Sequence, residues 1–221
     1  MKIFLDTADI DCIEKCNSTG LIDGITTNPI LLSKSSSNKV CNDLISKICS
    51  IVKGPVSVEV ISTCCDDMIK EGLKLADISC NIVVKLPMTY DGICACKVLS
   101  YEYNIKVNVT LCFSVAQAIL AAKAGAYFIS PFIGRLDDLS YDGLMVVKDI
   151  CHVYSQYNNF TTQVLAASIR NPLHVVNAAK IGVDIVTISP TIFKQLFTHP
   201  LTDIGLESFL QNWQESGKKI I

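Results

Sequence analysis

The run NIVVKLP at 81–87 carries a single charge, Lys85, in a setting that strips water from an ammonium group. Loss of hydration favours the neutral amine. A neutral amine attacks a ketone to give a carbinolamine and then an imine, whose positive charge draws electrons out of a neighbouring carbon–carbon bond. That chemistry needs proton shuttles, because water must leave the carbinolamine and a hydroxyl proton must move as the bond breaks. Asp6, ending KIFLD, and Glu59, within VSVEV, are the carboxylates placed to serve, and Thr110 can help to hold a water. The same residues allow a structural alternative, in which Lys85 pairs with Glu59 or Asp6 or snorkels out of a strand end.

Arginine usage adds a second signal. Of 19 lysines and arginines only Arg135 and Arg170 are arginine, leaving 17 lysines. The planar guanidinium grips phosphate with paired hydrogen bonds, whereas lysine acts as a point charge. A chain that otherwise prefers lysine keeps arginine where the fork is needed, which points to a phosphorylated small molecule; two surface arginines placed by chance are the alternative. The three histidines, His152, His174 and His199, have no ligand-spaced partners and read as surface or packing residues.

These groups must be held by a scaffold, and the scaffold is legible as a repeat. Short β-rich runs at 2–6, 22–26, 56–60, 81–86, 105–109, 126–130, 161–166 and 183–188 are each followed by a turn signal and a stretch of helical periodicity. The helices fall at 10–16, 40–51, 66–75, 93–101, 115–124, 141–153, 172–181 and 191–197. Strands alternating with helices imply right-handed βαβ units and a parallel sheet, and eight units close into a (β/α)8 TIM barrel. No G-x-G-x-x-G or G-x-x-x-x-G-K-[ST] occurs, so a nucleotide cofactor has no motif behind it, and no cofactor is called for.

Barrel enzymes carry their chemistry at the C-terminal ends of the strands. Strand 1 ends in Asp6, and strand 2 runs into Thr26, Thr27 and Asn28. Strand 3 carries Glu59, strand 4 Lys85, and strand 5 Asn108 and Thr110. Strand 6 brings Ser130 and then Arg135, and strand 7 leads to Ser168 and Arg170. Period-two alternation lets Phe4 with Asp6, Val83 with Lys85, and Asn108 with Thr110 face inward together. Phosphate sites on such barrels more often follow strands 7 and 8, so arginines after strands 6 and 7 are a departure.

The tail LTDIGLESFLQNWQESGKK adds a helix over 201–217, capped by Thr202 or Asp203, with Leu206, Phe209, Leu210 and Trp213 on one side. Its apolar face can pack on its own barrel or on a neighbouring subunit; the second is expected, making the chain a homo-oligomer. KSSSNK at 34–39 reads as a polar loop or helix start.

Composition removes other classes. With 50% apolar and 18% charged residues, the 221-residue chain has material for one large domain spanning 1–221. A net charge of -2 offers no footprint for nucleic acid or an anionic membrane. MKIFLDTAD reaches a carboxylate too soon for a signal-peptide core, so a cytoplasmic location is expected. The eleven cysteines are odd in number and lack any Cys-x-x-Cys pair, and neither Cys64-Cys65 nor Cys94-x-Cys96 has histidines at metal-ligand spacing. Reduced, mostly buried thiols are expected, and no metal site.

In order along the chain, FLDTAD, GITTNP, VSVEV, VVKLP, VNVTLCFS, ISPFIGRLDD and AASIRN resemble the transaldolase and fructose-6-phosphate aldolase family, most closely its small-subunit transaldolase branch. The resemblance extends to the tail HPLTDIGLESFLQNW. It implies that Lys85 forms the imine, that Asp6 handles the proton of the hydroxyl beside the cleaved bond, and that Glu59 and Thr110 position a catalytic water. It further implies that Asn28, Asn108 and Ser130 bind the dihydroxyacetone part and that Arg135, Ser168 and Arg170 hold the phosphate; Thr27 and Phe132 are expected to line the substrate site with them. Members of this branch resemble one another in forming pentamers that stack into decamers, the last helix reaching a neighbour.

Within the family, the aldolase branch is expected to carry glutamine and tyrosine where this chain has Glu59 and Phe132. A phenyl ring cannot help to activate the water that releases a free ketone, so the imine is expected to wait for an aldose acceptor. The competing readings are a fructose-6-phosphate aldolase, a barrel that binds sugar phosphates without turning them over, and a phosphosugar isomerase, which would need no buried lysine nucleophile.

Overall fold

The structure, a computed structural model, describes residues 1–35 and 41–220. Among these residues eight parallel strands follow one another around a closed barrel in chain order, with the first hydrogen-bonded to the last. They are β1 (Lys2–Asp6), β2 (Gly24–Thr26), β3 (Val56–Glu59), β4 (Ile82–Pro87), β5 (Val107–Cys112), β6 (Phe128–Pro131), β7 (Gln163–Ala166) and β8 (Ile185–Ile188). The (β/α)8 barrel expected from the alternating pattern is the fold.

The helices are α1 (Ile10–Asn17), α2 (Pro29–Ser35), α3 (Asn42–Ile51), α4 (Cys65–Ala76), α5 (Tyr90–Tyr101) and α6 (Val115–Lys123), then α7 (Ile133–Asp137), α8 (Gly143–Ser155), α9 (Pro172–Ile181), α10 (Pro190–Gln195) and α11 (Pro200–Glu215). Six of those that follow a strand start on a short polar side chain: Asp9, Asn28, Thr89, Ser114, Asn171 and Ser189 each accept a hydrogen bond from a first-turn N–H, at 2.9–3.3 Å. These caps lie at the C-terminal end of the barrel, so they fix the rim where the candidate residues gather. α2 and α7 are additional to the helices expected from the sequence; their seven and five residues carry little periodicity, and neither lies where the strand–helix alternation calls for a helix of its own. The reading of KSSSNK falls largely on 36–40, outside the described residues, as does the first position of the helix expected from 40.

The strands alternate as expected. Val84, Leu86, Val107 and Val109 point outward into the main core under the helices, while Phe4, Val83, Phe128, Leu165 and Ile185 form a separate cluster inside the barrel. Phe4 and Phe128 meet edge to face, with centroids 5.8 Å apart. Gly24 makes room for this pair, since a Cβ there would stand 2.6 Å from the Phe4 ring. At the end of β5 the register slips between Val109 and Cys112, with Leu111 at φ 58°. A bulge of this kind re-aims side chains at a barrel rim.

α11 departs from expectation at its start. The cap is neither Thr202 nor Asp203: His199 accepts the N–H of Leu201 through Nδ1 at 3.2 Å, and Pro200 occupies the first turn, where its missing N–H costs nothing. The helix buries none of its residues, leaving Leu206, Phe209, Leu210 and Trp213 exposed. Among the described residues no helix is long and apolar enough to cross a membrane, and all eleven cysteines are free thiols.

Candidate active site

One layer above the apolar plug the barrel interior turns polar. Lys85 follows Val83 on the inward face of β4 and is 6% exposed. Its register partners are Glu59 on β3 and Asn108 on β5. Nζ lies 3.0 Å from Glu59 Oε2 and donates to the carbonyl oxygen of Thr27 at 3.1 Å. The structural pairing with Glu59 therefore exists, and it puts a carboxylate in direct contact with the amine.

Asp6 projects from β1 into the same space. Its Oδ1 accepts the hydroxyl of Thr26 at 2.8 Å, and Thr26 Oγ1 is 2.6 Å from Thr187 Oγ1 on β8. Burial pushes the Asp6 carboxyl above its ordinary value of 3.8, against the Lys85 charge and the Thr26 hydrogen bond, which pull it down; the Glu59 charge adds to the rise. On the opposite wall Ser130 donates to Asn108 Oδ1 at 2.7 Å, while Asn108 Nδ2 donates to Ser57 Oγ at 3.1 Å, so the amide is locked in one orientation. Thr110 Oγ1 is buried with no hydrogen-bond partner among the described residues. A buried hydroxyl left unpaired costs about 1–3 kcal/mol, so packing alone gives no reason for a threonine there.

These groups border a cavity of about 490 Å³, within the range of small-molecule sites. Eight of the expected residues line it: Asp6, Asn28, Lys85, Ser130, Phe132, Arg135, Ser168 and Arg170. Four do not. Glu59 and Thr27 sit behind Lys85, Asn108 behind Ser130, and Thr110 is enclosed; the Thr27 hydroxyl is turned away to the Ser57 carbonyl at 2.8 Å. Asn28 uses Oδ1 to accept the Leu31 N–H at 3.0 Å, which opens α2.

The two arginines lie at the outer end. The Arg135 guanidinium stacks 5.0 Å over the Phe132 ring, itself edge-on to Phe113. Arg170 pairs with Asp138 at 2.9 Å, and its stem crosses α7 at Gly134, where a Cβ would meet Arg170 Cγ and Nε at 2.5 Å. Ser168 just before it holds φ 57°, a conformation that costs a non-glycine residue of order 1–3 kcal/mol. His174 stitches this loop to α7, with Nε2 3.4 Å from Asp137 Oδ2.

Ser57, Thr187, Ser189, Thr191 and Gln195 are not among the residues expected from sequence, and Thr26 is expected only as part of the run that ends strand 2. Ser57 and Thr187 are hydroxyls inside apolar strands and look like ordinary strand residues. The one available signal was spacing, since Ser57 stands two residues before Glu59.

Comparison with known proteins agrees with this geometry. Residues 3–220 match the family model described as Transaldolase/Fructose-6-phosphate aldolase. A probable transaldolase of Caulobacter vibrioides is 53% identical over all of both chains, and one of Cereibacter sphaeroides is 54% identical over all of this chain and 99% of its own. Among solved structures, a thiamine phosphate pyrophosphorylase from Pyrococcus furiosus superposes with a TM-score of 0.61 over 87% of each chain at 14% identity, a likeness of fold alone. The chain is an enzyme of the transaldolase/fructose-6-phosphate aldolase family.

Proposed function

We propose that this enzyme is a transaldolase that moves a dihydroxyacetone unit through an imine on Lys85. The observation that carries the reading is a buried lysine amine in contact with Glu59, in one cavity with Asp6 and two arginines. In the proposed cycle the Lys85 amine condenses with the ketone of sedoheptulose 7-phosphate and water leaves. Asp6 takes the proton of the hydroxyl next to the cleaved bond, the carbon–carbon pair flows to the imine nitrogen, and erythrose 4-phosphate departs. The enamine then attacks glyceraldehyde 3-phosphate, Asp6 returns the proton, and hydrolysis of the new imine yields fructose 6-phosphate. This is a step of the pentose phosphate pathway.

Asn28, Asn108 and Ser130 are assigned to the hydroxyls of the three-carbon unit, directly or through one another, and Arg135, Ser168 and Arg170 to the phosphate. Glu59 exchanges protons with Lys85 and, with Thr110, positions water. Phe132 favours transfer over release of free dihydroxyacetone, because its ring supports Arg135 and has no hydroxyl with which to activate water. A cytoplasmic location fits eleven free thiols, since reducing compartments keep them so. The uncovered apolar residues of α11 fit a helix that docks on a second subunit of a homo-oligomer.

The test is intact-protein mass spectrometry after incubation with fructose 6-phosphate and sodium borohydride, beside Lys85→Ala. A three-carbon adduct on the native chain alone is expected, and none on either protein overturns the imine. Fructose 6-phosphate with erythrose 4-phosphate then separates the branches: sedoheptulose 7-phosphate marks transfer, and accumulating free dihydroxyacetone marks the aldolase.

A further inference from the structure

Two buried threonines flank β1 on either side. Thr26 is the register partner of Asp6 on β2, and Thr187 is the register partner of Phe4 on β8. Both are almost fully enclosed, and their hydroxyls meet at 2.6 Å. Two hydroxyls at this depth are costly unless paired, and the pairing leads to one place, Asp6 Oδ1.

Proton accounting gives the chain a direction. A hydroxyl has one proton to donate and lone pairs to accept with. When Asp6 is a carboxylate, Thr26 must spend its proton on Oδ1, so in the 2.6 Å contact Thr187 is the donor. Should Oδ1 take up a proton, both bonds reverse and neither threonine is left unpaired. Oδ2 receives no hydrogen bond from a described residue, and the carboxyl borders the cavity. The pair thus ties one oxygen down in either protonation state and reserves the other for the reacting hydroxyl.

We propose that Thr187 is a positioning residue for proton transfer at Asp6, acting through Thr26 to hold the carboxyl with Oδ2 toward the substrate. The inference rests on the reading of Asp6 as the proton acceptor in bond cleavage. The charged groups facing Asp6 are Lys85 from β4 and Glu59 from β3; β2 and β8 present only the two hydroxyls. A donated hydrogen bond favours the carboxylate, so weakening it moves proton uptake by Asp6 to higher pH.

The experiment compares native enzyme with Thr187→Val, which keeps the branched shape, and Thr187→Ser, which keeps the hydroxyl. Transfer from fructose 6-phosphate to erythrose 4-phosphate is followed across pH, and trapping of dihydroxyacetone by borohydride reports Lys85 without any bond cleavage. Thr187→Val is expected to lower kcat about tenfold, a fraction of what a whole acid–base group contributes. KM should stay within about twofold, the mark of an interaction made in the transition state. The acid limb should shift to higher pH, trapping should match the native rate, and Thr187→Ser should restore the profile. A native-like kcat and acid limb in Thr187→Val overturn the proposal. So does a serine variant as impaired as the valine, or trapping that falls together with kcat. If native enzyme shows neither adduct nor turnover, the imine reading itself fails and takes this inference with it.

Discussion

Glu59 and Lys85 face one another across β3 and β4 in direct register, and their charged ends meet at 3.0 Å inside the barrel. Each is therefore the other's chief compensation for burial, which links stability to chemistry.

Removing the lysine alone should harm both. Lys85→Met is expected to abolish turnover and imine trapping, and to destabilise the fold by about 3 kcal/mol because Glu59 is left enclosed without its partner. Adding Glu59→Gln should recover most of the stability and none of the activity. Urea unfolding of native enzyme and the two variants checks this, and a Lys85→Met variant as stable as native would show that the pair carries little.

Asp6 gives a pH-dependent prediction. Burial raises its carboxyl above 3.8, so the folded chain holds this proton more tightly than the unfolded chain does. Its contribution to stability is full below the unfolded value and is lost as pH rises through the folded one. Asp6→Asn should therefore be more stable than native at neutral pH, with the advantage shrinking on acidification, while kcat falls roughly 10²-fold or more. Unfolding at neutral and acidic pH measures the first part; a pH-independent difference would contradict it.

The phosphate end divides between two supports. Arg135→Ala should raise KM for phosphorylated substrates about 10- to 100-fold, the scale of hydrogen bonds to a charged group. Phe132→Leu should raise it only a few-fold, the worth of about 0.5–1 kcal/mol of cation–π contact. Steady-state kinetics on phosphorylated against unphosphorylated acceptors reads both, and an effect equal for the two acceptors would remove these residues from the phosphate site.

Gly134 on α7 and Asp138 at its C-terminal cap lie one turn apart beneath Arg170. Gly134→Ala drives a methyl to 2.4 Å from the Ser168 carbonyl oxygen as well as into the arginine stem. KM for phosphorylated substrates should rise and the melting temperature fall. Asp138→Asn should leave the melting temperature nearly unchanged, since an exposed ion pair is worth about 0–1 kcal/mol. The reverse ranking would show that the ion pair, not the close approach, places Arg170.

Much of this was legible beforehand. Alternation locates eight strands, and period two places Asp6, Lys85 and Asn108 inward because an inward polar side chain interrupts an otherwise apolar run. What escaped notice lacked a compositional mark. Leu111 and Ser168 adopt left-handed backbone without being glycine, so no residue type announced the bulge or the turn. Ser57 and Thr187 matter through partners distant in sequence, and the Thr26–Thr187 contact joins residues 161 apart. Thr27 is expected at the substrate, and the structure adds a contact no residue type announces: its carbonyl, a group that every residue carries, accepts from Lys85.

The plug formed by Phe4, Val83, Phe128, Leu165 and Ile185 closes the barrel below Lys85. The well has a floor, and traffic uses one doorway. For a two-substrate reaction on the lysine, the departing aldose and the arriving one must pass through the same opening in turn. On the proposed transfer through Lys85 the enzyme would hold only the three-carbon fragment between the two aldoses, and double-reciprocal plots at varied acceptor concentration should run parallel. A floor made of phenylalanine and aliphatic side chains thereby makes departure of the first aldose a condition for entry of the second in that proposed cycle.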